Sequence, residues 1–247
     1  MGKLTRQRRL IEMLTDTGQL LVSHAAVALG VSDDTIRRDL EDLDDRGFLH
    51  KTHGGAVSID IGSMARAERS TLLSNEKQRI GVAAAAAVQP GSTLLLDAGS
   101  TTLAMASALT VPVTIVTNSL DIAKKVEGRA DSRLILAGGE WDAKQRLFSG
   151  AAARSILGLY RADIAVLGAC AVSAIGDVTA SEERDAEMKR VMLDSAAEAW
   201  LLVDHLKFRQ VEPHNVAVIN RFSRVYTDRQ PVDLEESERP ANFIITS

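Results

Sequence analysis

The stretch Leu94-Leu95-Leu96-Asp97-Ala98-Gly99-Ser100-Thr101-Thr102-Leu103 carries the residue types of an anion site. An apolar run ends at a carboxylate, Gly99 permits a tight turn, and three hydroxyl residues open a helix. Free backbone N–H groups, side-chain hydroxyls and the positive end of a helix dipole converge at such a point. No Gly-Lys-Ser/Thr follows, so the stretch is not a nucleotide P-loop. The same spacing also suits an ordinary capped helix start after a glycine turn.

Further polar residues fall at the ends of apolar runs. They are Thr117, Asn118 and Ser119; Gly138, Gly139 and Glu140; Ser149 and Gly150; and Asp204 with Lys207. A helical stretch adds Glu183, Asp185, Glu187 and Lys189. Singly, each reads as a turn, a cap or a solvated face. Together they place hydroxyls, an amide, carboxylates and lysines near one sheet edge, which suits a small polyol carrying a phosphate. Asp97, Glu187 and Asp204 are also the residue types of general bases, so a sugar-phosphate isomerase or deaminase with an added N-terminal module is the competing reading.

The elements that must position these residues alternate. Strand-like runs are expected near 92–97, 113–117, 133–137, 163–169, 199–204, 216–219 and 224–227, and helices near 76–88, 101–109, 119–127, 149–159 and 181–197. Strands apolar on both faces and separated by helices imply a parallel sheet covered on both sides. Ligands in such sheets sit at the carboxyl ends of the strands, where the polar residues fall.

The first 57 residues have a different texture, of short helices followed by a hairpin. Leu10, Ile11 and Leu14 share one helical face, which Gly18 interrupts. Ser23 is expected to cap a second helix with Ala26, Val27 and Leu29 inward, and Gly30 to turn the chain. Ser32 is expected to cap a third, with Ile36, Leu40 and Leu43 inward and Gly47 at its end. Phe48 to Val57 reads as a hairpin with Gly54-Gly55 as its tip or exit turn. Three helices with a turn between the second and third form a helix-turn-helix, and the hairpin a wing. The start of the third helix, with Asp33, Asp34, Thr35, Arg37 and Arg38, then faces the DNA major groove. Arginine is the best bidentate partner for guanine or phosphate. The bland alternative pairs Arg37 with Glu41 and Arg38 with Asp42 on a solvated helix.

Charge bounds the choice. The chain has 247 residues and a net charge of −4, so it is no uniformly basic polymer binder. Met1 to Val57 hold eight basic and nine acidic side chains, the bases gathered at the N-terminal arm, the start of the third helix and the wing. A single cysteine, Cys170, excludes an internal disulfide and a cysteine-rich zinc site, and reads as a small buried apolar residue. The histidines lack metal-ligand spacing, so no metal or cofactor is expected. The N-terminus lacks a leader core and a myristoylation serine or threonine, and no apolar run spans a membrane, so a cytoplasmic location is expected.

The stretch "VSDDTIRRDLEDLDDRGFLHKTHGGAV", Val31 to Val57, resembles the winged helix-turn-helix signature of the DeoR family of bacterial transcriptional regulators. The matching residues are Val31, Ser32, Thr35, Ile36, Arg37, Arg38, Asp39, Leu40, Leu43, Gly47, His53, Gly54, Gly55 and Ala56, with Thr52 a departure. The resemblance implies DNA contacts around Ser32, Asp34, Thr35, Arg37 and Arg38, supported by Lys51 and His53 on the wing. The second half is similar to that family's sensor domain, whose fold is shared with ribose-5-phosphate isomerase and glucosamine-6-phosphate deaminase. Its matches run from Asp97–Thr102 through Thr117–Ser119, Gly138-Gly139, Gly150, Gly168, Glu187–Lys189, Asp204, Lys207-Phe208 and Thr227-Asp228. Ser100, Asp185 and His205-Leu206 depart from the pattern.

The expectation is therefore an α+β winged helix-turn-helix domain over 1–57, a linker over 58–74, and an α/β effector-sensing domain over 75–247 resembling the ribose-5-phosphate isomerase-like fold. The resemblance implies a non-enzymatic repressor of carbohydrate-metabolism genes that binds a double-stranded operator as a homodimer or homotetramer. It implies a phosphorylated sugar or related metabolite as effector, held by Asp97, Gly99, Ser100, Thr101, Thr102, Asn118, Gly138, Gly139, Glu187, Lys189, Asp204 and Lys207.

Overall fold

The computed structural model describes residues 1–45, 48–58, 73–231 and 243–246. The chain forms two compact units, Met1–Met64 and Ala65–Ser247. Most of the expected linker, 59–72, lies outside the described residues, as does Gly47, the expected end of the third helix.

The first unit contains α1 (Lys3–Thr17), α2 (Val22–Leu29) and α3 (Asp33–Asp45), with β1 (Gln19–Leu21), β2 (Leu49–Thr52) and β3 (Gly55–Ser58). Leu10, Ile11 and Leu14 of α1 pack with Ile36, Leu40 and Leu43 of α3, all buried. Gly18 and Gly30 end their helices in the left-handed conformation, which costs glycine nothing. The hairpin is wider than the sequence implied: β1 joins it, and β3 is the central strand of three. Gly55 opens β3 opposite Leu21, and a Cβ there would lie 1.8 Å from the Leu20 carbonyl oxygen.

The second helix corrects one expectation. It starts at Val22, directly from β1, so Ser23 lies inside its first turn and caps nothing. Its buried face is Val22, Ala25 and Ala26, at i, i+3 and i+4, and Val27 is 85% exposed. The apolar stripe therefore lies nearer the N-terminus of the helix than the expected Ala26, Val27 and Leu29.

The second unit is built on seven parallel strands. These are β4 (Thr93–Leu96), β5 (Thr114–Thr117), β6 (Arg133–Leu136), β9 (Ala162–Gly168), β12 (Ala196–Leu202), β14 (Arg224–Thr227) and β15 (Phe243–Ile245). Their order is β15-β14-β12-β9-β4-β5-β6. Helices α4 (Ser74–Ala86), α5 (Ser100–Ala108), α6 (Leu120–Val126), α7 (Gly150–Gly158) and α8 (Glu183–Asp194) cover it. The period-two rule separates two cores. Leu94, Leu96, Ile115 and Val166 pack with α4, α5 and α6 on one face. Leu95, Val116, Ala165 and Leu167 pack with α7 and α8 on the other.

Two small sheets were not expected. One is the hairpin of β7 (Glu140–Asp142) and β8 (Leu147–Ser149). The other joins β10 (Ala171–Val172), β11 (Asp177–Ala180) and β13 (His214–Val218). The run near 216–219 is thus a strand, but it pairs antiparallel with β11 outside the main sheet.

From β4 the chain steps through β5 and β6 in one direction; from β9 it continues through β12, β14 and β15 in the other. The strand order therefore reverses between β4 and β9. In parallel sheets that reversal opens a crevice at the strand ends.

Candidate effector cavity and DNA-reading helix

The cavity of the second unit lies at that reversal. Its volume is about 70 Å³, against roughly 10–15 Å³ for a single water, so it has room for a small ligand. Its lining includes Asp97, Gly99, Ser100 and Thr101 from the β4–α5 turn, Asp185 and Lys189 from α8, and Asp204 and Lys207. Lys77 from α4, Gln145 from the β7–β8 turn, Gly168 and Cys170 complete its polar wall.

Asp97 is one of the lining residues and is wholly buried. Its Oδ2 accepts from the Lys189 ammonium at 2.6 Å and the Gly168 N–H at 3.1 Å, tying the ends of β4 and β9 together. Lys189 also donates to Asp185 Oδ1 at 2.8 Å, four residues earlier on the same helix face. Burial opposes the charge of Lys189, but the carboxylates of Asp185 and Asp97 outweigh it and hold the ammonium protonated. Burial raises the Asp97 carboxyl above its ordinary value, against the pull of Lys189. Asp97 Oδ1 is buried without a hydrogen-bond partner in the structure.

Asp97, Gly99, Ser100, Thr101, Lys189, Asp204 and Lys207 thus meet in one cavity. The other candidates do not line it. Thr102 is buried and donates its hydroxyl to the carbonyls of Asp97 (2.7 Å) and Gly99 (2.9 Å), shaping the turn from beneath. Asn118 donates its amide to the Phe148 carbonyl at 2.9 Å, anchoring the β7–β8 hairpin. Gly138 is outside the lining, and Gly139 packs where a Cβ would lie 2.4 Å from the Ser149 carbonyl oxygen. Glu187 sits two residues from Asp185, turns away, and pairs with Arg154 of α7. Cys170 packs against the apolar core, as expected, but is only half-buried and also lines the cavity. Trp141 lies outside the lining, 42% exposed and tilted against Phe148 at 5.1 Å.

Sequence reasoning missed Lys77 and Gln145. Lys77 carried a signal: it stands three and seven residues before Ile80 and Ala84, on the apolar stripe of α4. A lysine on a buried stripe needs a polar destination.

In the first unit, α3 is split along its length. Ile36, Leu40 and Leu43 are buried, while Ser32, Asp34, Arg37 and Arg38 face solvent and Thr35 is partly exposed. The Ser32 hydroxyl accepts the Thr35 N–H at 3.3 Å, capping the helix. The i, i+4 decoration does not form. Arg37 pairs at 3.4 Å with Asp34, one turn back, and Arg38 makes no ion pair among the described residues. Glu41 instead takes Lys51 of the wing at 3.0 Å. Asp39 is buried and holds Arg6 of α1, so Arg6 is a packing residue and not part of a basic arm. His53 is exposed in the turn between β2 and β3.

Among the described residues no cluster could hold a metal, and no helix is long and apolar enough to cross a membrane.

A winged helix-turn-helix and a ligand-sized cavity in a parallel α/β unit define a transcription regulator built from a reading unit and a sensing unit. Residues 6–61 match the DeoR-like helix-turn-helix domain, and residues 73–229 match the DeoR C terminal sensor domain. The chain belongs to the DeoR family of transcriptional regulators. It is similar to the glycerol-3-phosphate regulon repressor of Escherichia coli, with 31% identity over 94% of this chain and 93% of that one. It is also similar to the L-fucose operon activator of Haemophilus influenzae, with 29% identity over 92% and 93%. The repressor GlcR of Bacillus subtilis is 29% identical over 90% and 87%. The solved ribose 5-phosphate isomerase A of Methanocaldococcus jannaschii overlaps 56% of each chain at 18% identity with a TM-score of 0.42, an overlap too slight to bear on function.

Proposed function

We propose that the chain represses a carbohydrate-metabolism operon and that a phosphorylated sugar in the cavity sets its affinity for DNA. The exposed start of α3 reads a double-stranded operator through Arg37 and Arg38, with Ser32, Asp34 and Thr35 beside them and Lys51 and His53 of the wing against the backbone. Two half-sites are read by a homodimer or homotetramer, as symmetric operators require. In the cavity, the first turn of α5 offers N–H groups and hydroxyls to the phosphate, with Lys207 beside it. Lys189 is occupied by two carboxylates and serves to position Asp97, which accepts from a sugar hydroxyl.

The observation that carries this reading is the convergence of the α5 N-terminus, Lys207 and the half-satisfied Asp97 carboxylate in one cavity. A ligand with an anion at one end and hydroxyls at the other answers all three. A thermal-shift panel of phosphorylated sugars tests it. The true effector at a hundredfold excess over its Kd stabilises by about 2.7 kcal/mol, and its dephosphorylated counterpart does not. Equal shifts from both, or none from any, would overturn the phosphate assignment. Turnover of ribose 5-phosphate or glucosamine 6-phosphate would overturn the non-enzymatic reading.

A further inference from the structure

Arg37 has two carboxylates within reach along α3: Asp34, three residues before it, and Glu41, four residues after it. The wing decides between them. Lys51 of β2 donates to Glu41 Oε1 at 3.0 Å, a contact across ten residues of sequence. Arg37 donates from Nη1 to Asp34 Oδ1 at 3.4 Å instead. Its guanidinium is thereby drawn toward the N-terminus of α3, the end of a reading helix that meets base edges in the major groove. The contact engages Nη1 and leaves the Nε–Nη2 edge for two parallel hydrogen bonds, the geometry that matches guanine O6 and N7.

The pair is at the surface, with side chains 55% and 75% exposed, so it adds little to the stability of the fold. Its consequence lies on DNA. A carboxylate at the start of a reading helix lies among phosphates and repels them. What offsets that repulsion depends on where Arg37 goes. Turned to a base, Arg37 keeps the Asp34 contact, and its side chain is already ordered. Turned aside to a phosphate, it loses the contact and leaves the carboxylate unpaired against the backbone. The pair therefore opposes a grip on the backbone and leaves base reading unopposed. Arg38, which makes no ion pair among the described residues, has no such bias.

We propose that Asp34 is a specificity-determining positioning residue: it holds Arg37 for a guanine of the operator half-site and withholds it from the phosphates of other DNA. This rests on the reading of DNA by α3 and adds to it the base, the arginine that reads it and the carboxylate that directs that arginine.

Anisotropy titrations of the full chain against two duplexes of equal length test the proposal. One is an operator selected by the wild type from genomic fragments, the other a scrambled sequence of the same composition. Asp34→Asn is predicted to bind the scrambled duplex about three- to fivefold more tightly, the size of an exposed ion pair. Its salt slope on that duplex steepens by about 0.9, the release that one added phosphate contact brings. Operator affinity does not rise with it, so the preference for operator falls. Arg37→Ala lowers the preference in the wild type and adds little in Asp34→Asn, the non-additivity of residues that act as a pair. Replacing the operator guanines one at a time by 7-deazaguanine weakens the wild type at one position in each half-site, and Arg37→Ala is indifferent to that position. A structural role for Asp34 would weaken both duplexes together, and bulk charge would tighten both together; either result overturns the proposal, as does an operator with no guanine that Arg37 senses. A wild type that prefers no fragment to the scrambled duplex overturns the DNA-reading assignment itself. The predicted tightening is a gain, which a poorly folded variant does not produce, and Asp34→Ala at the same exposed site repeats it.

Discussion

Replacing Lys189 with Met should damage the sensing unit far more than the change of a single side chain suggests. Lys189 is 3% exposed and lies 2.6 Å from Asp97 and 2.8 Å from Asp185. Its removal leaves two carboxylates facing each other in a buried site with no counter-charge. Removing one partner of a buried ion pair costs about 3–5 kcal/mol, a large share of the roughly 5–15 kcal/mol that stabilises a domain. With a urea m-value of about 2 kcal/mol per molar, the midpoint falls by about 2 M. Both tryptophans, Trp141 and Trp200, lie in the sensing unit, so their fluorescence follows its unfolding alone. The cost should depend on pH. Asp97 is raised above its unfolded value, so its protonated form favours the folded state; that contribution is present at low pH and is lost as pH rises through the folded pKa. Loss of Lys189 raises Asp97 further, so the variant recovers stability on acidification relative to the wild type. Adding Asp97→Asn and Asp185→Asn should recover most of the loss at neutral pH. A loss below about 1 kcal/mol, or one indifferent to pH, would refute a buried, charge-coupled triad.

Other outcomes follow from individual interactions. Arg6→Ala strands the buried Asp39 carboxylate and should destabilise the winged helix by about 3 kcal/mol, with Arg6→Ala/Asp39→Leu regaining part of it in chemical denaturation. Gly81→Val forces side-chain atoms against the α5 backbone and should lower the Tm by an amount equivalent to about 1–3 kcal/mol or more; unchanged melting would contradict the close crossing. The Asp228 carboxyl is pulled up by burial, but its bonds to the His205 ring (2.5 Å) and backbone (2.8 Å) outweigh that and hold it below the usual carboxylate range. Its stabilising contribution is present above the unfolded pKa and lost as pH falls through the folded one. Asp228→Asn should therefore cost stability at neutral pH, and stability curves of variant and wild type should converge in acid.

Six of the seven strands of the main sheet were legible because they are apolar runs set between helical stretches; β15 (Phe243–Ile245) was not expected. The small strands were not legible either. Glu140–Asp142 and Leu147–Ser149 are three residues each, and Ala171-Val172 two; their pairing depends on neighbours that local pattern does not reveal. The cavity was half legible for a related reason. Residues at strand ends, such as Asp97 and Asp204, advertise their place through topology. Lys77 and Gln145 reach the site from a helix face and a hairpin tip, brought there by the crossing at Gly81 and by the Asn118 bond to Phe148. Glu187 was named with Lys189 because both lie on α8, but two residues along a helix turn a side chain by about 200°. The carboxylates around Arg37 and Arg38 were visible, but their partners were not: Asp39 and Glu41 are taken by Arg6 and Lys51, residues distant in the chain.

If α3 reads DNA and a phosphorylated ligand in the cavity sets that reading, operator affinity must depend on both. The direct measurement is fluorescence anisotropy of an operator duplex, selected from genomic fragments by the wild-type chain, titrated with protein at several salt concentrations. The titration is done with and without the phosphorylated sugar that shifts the melting curve. This ligand is predicted to change the operator Kd at least about tenfold, a coupling of about 1.4 kcal/mol. Arg37→Ala with Arg38→Ala is predicted to weaken specific binding by about 1–3 kcal/mol for each arginine–base pairing removed. An operator affinity indifferent to the ligand, or unaltered in the double arginine variant, would contradict the coupling of reading helix and cavity.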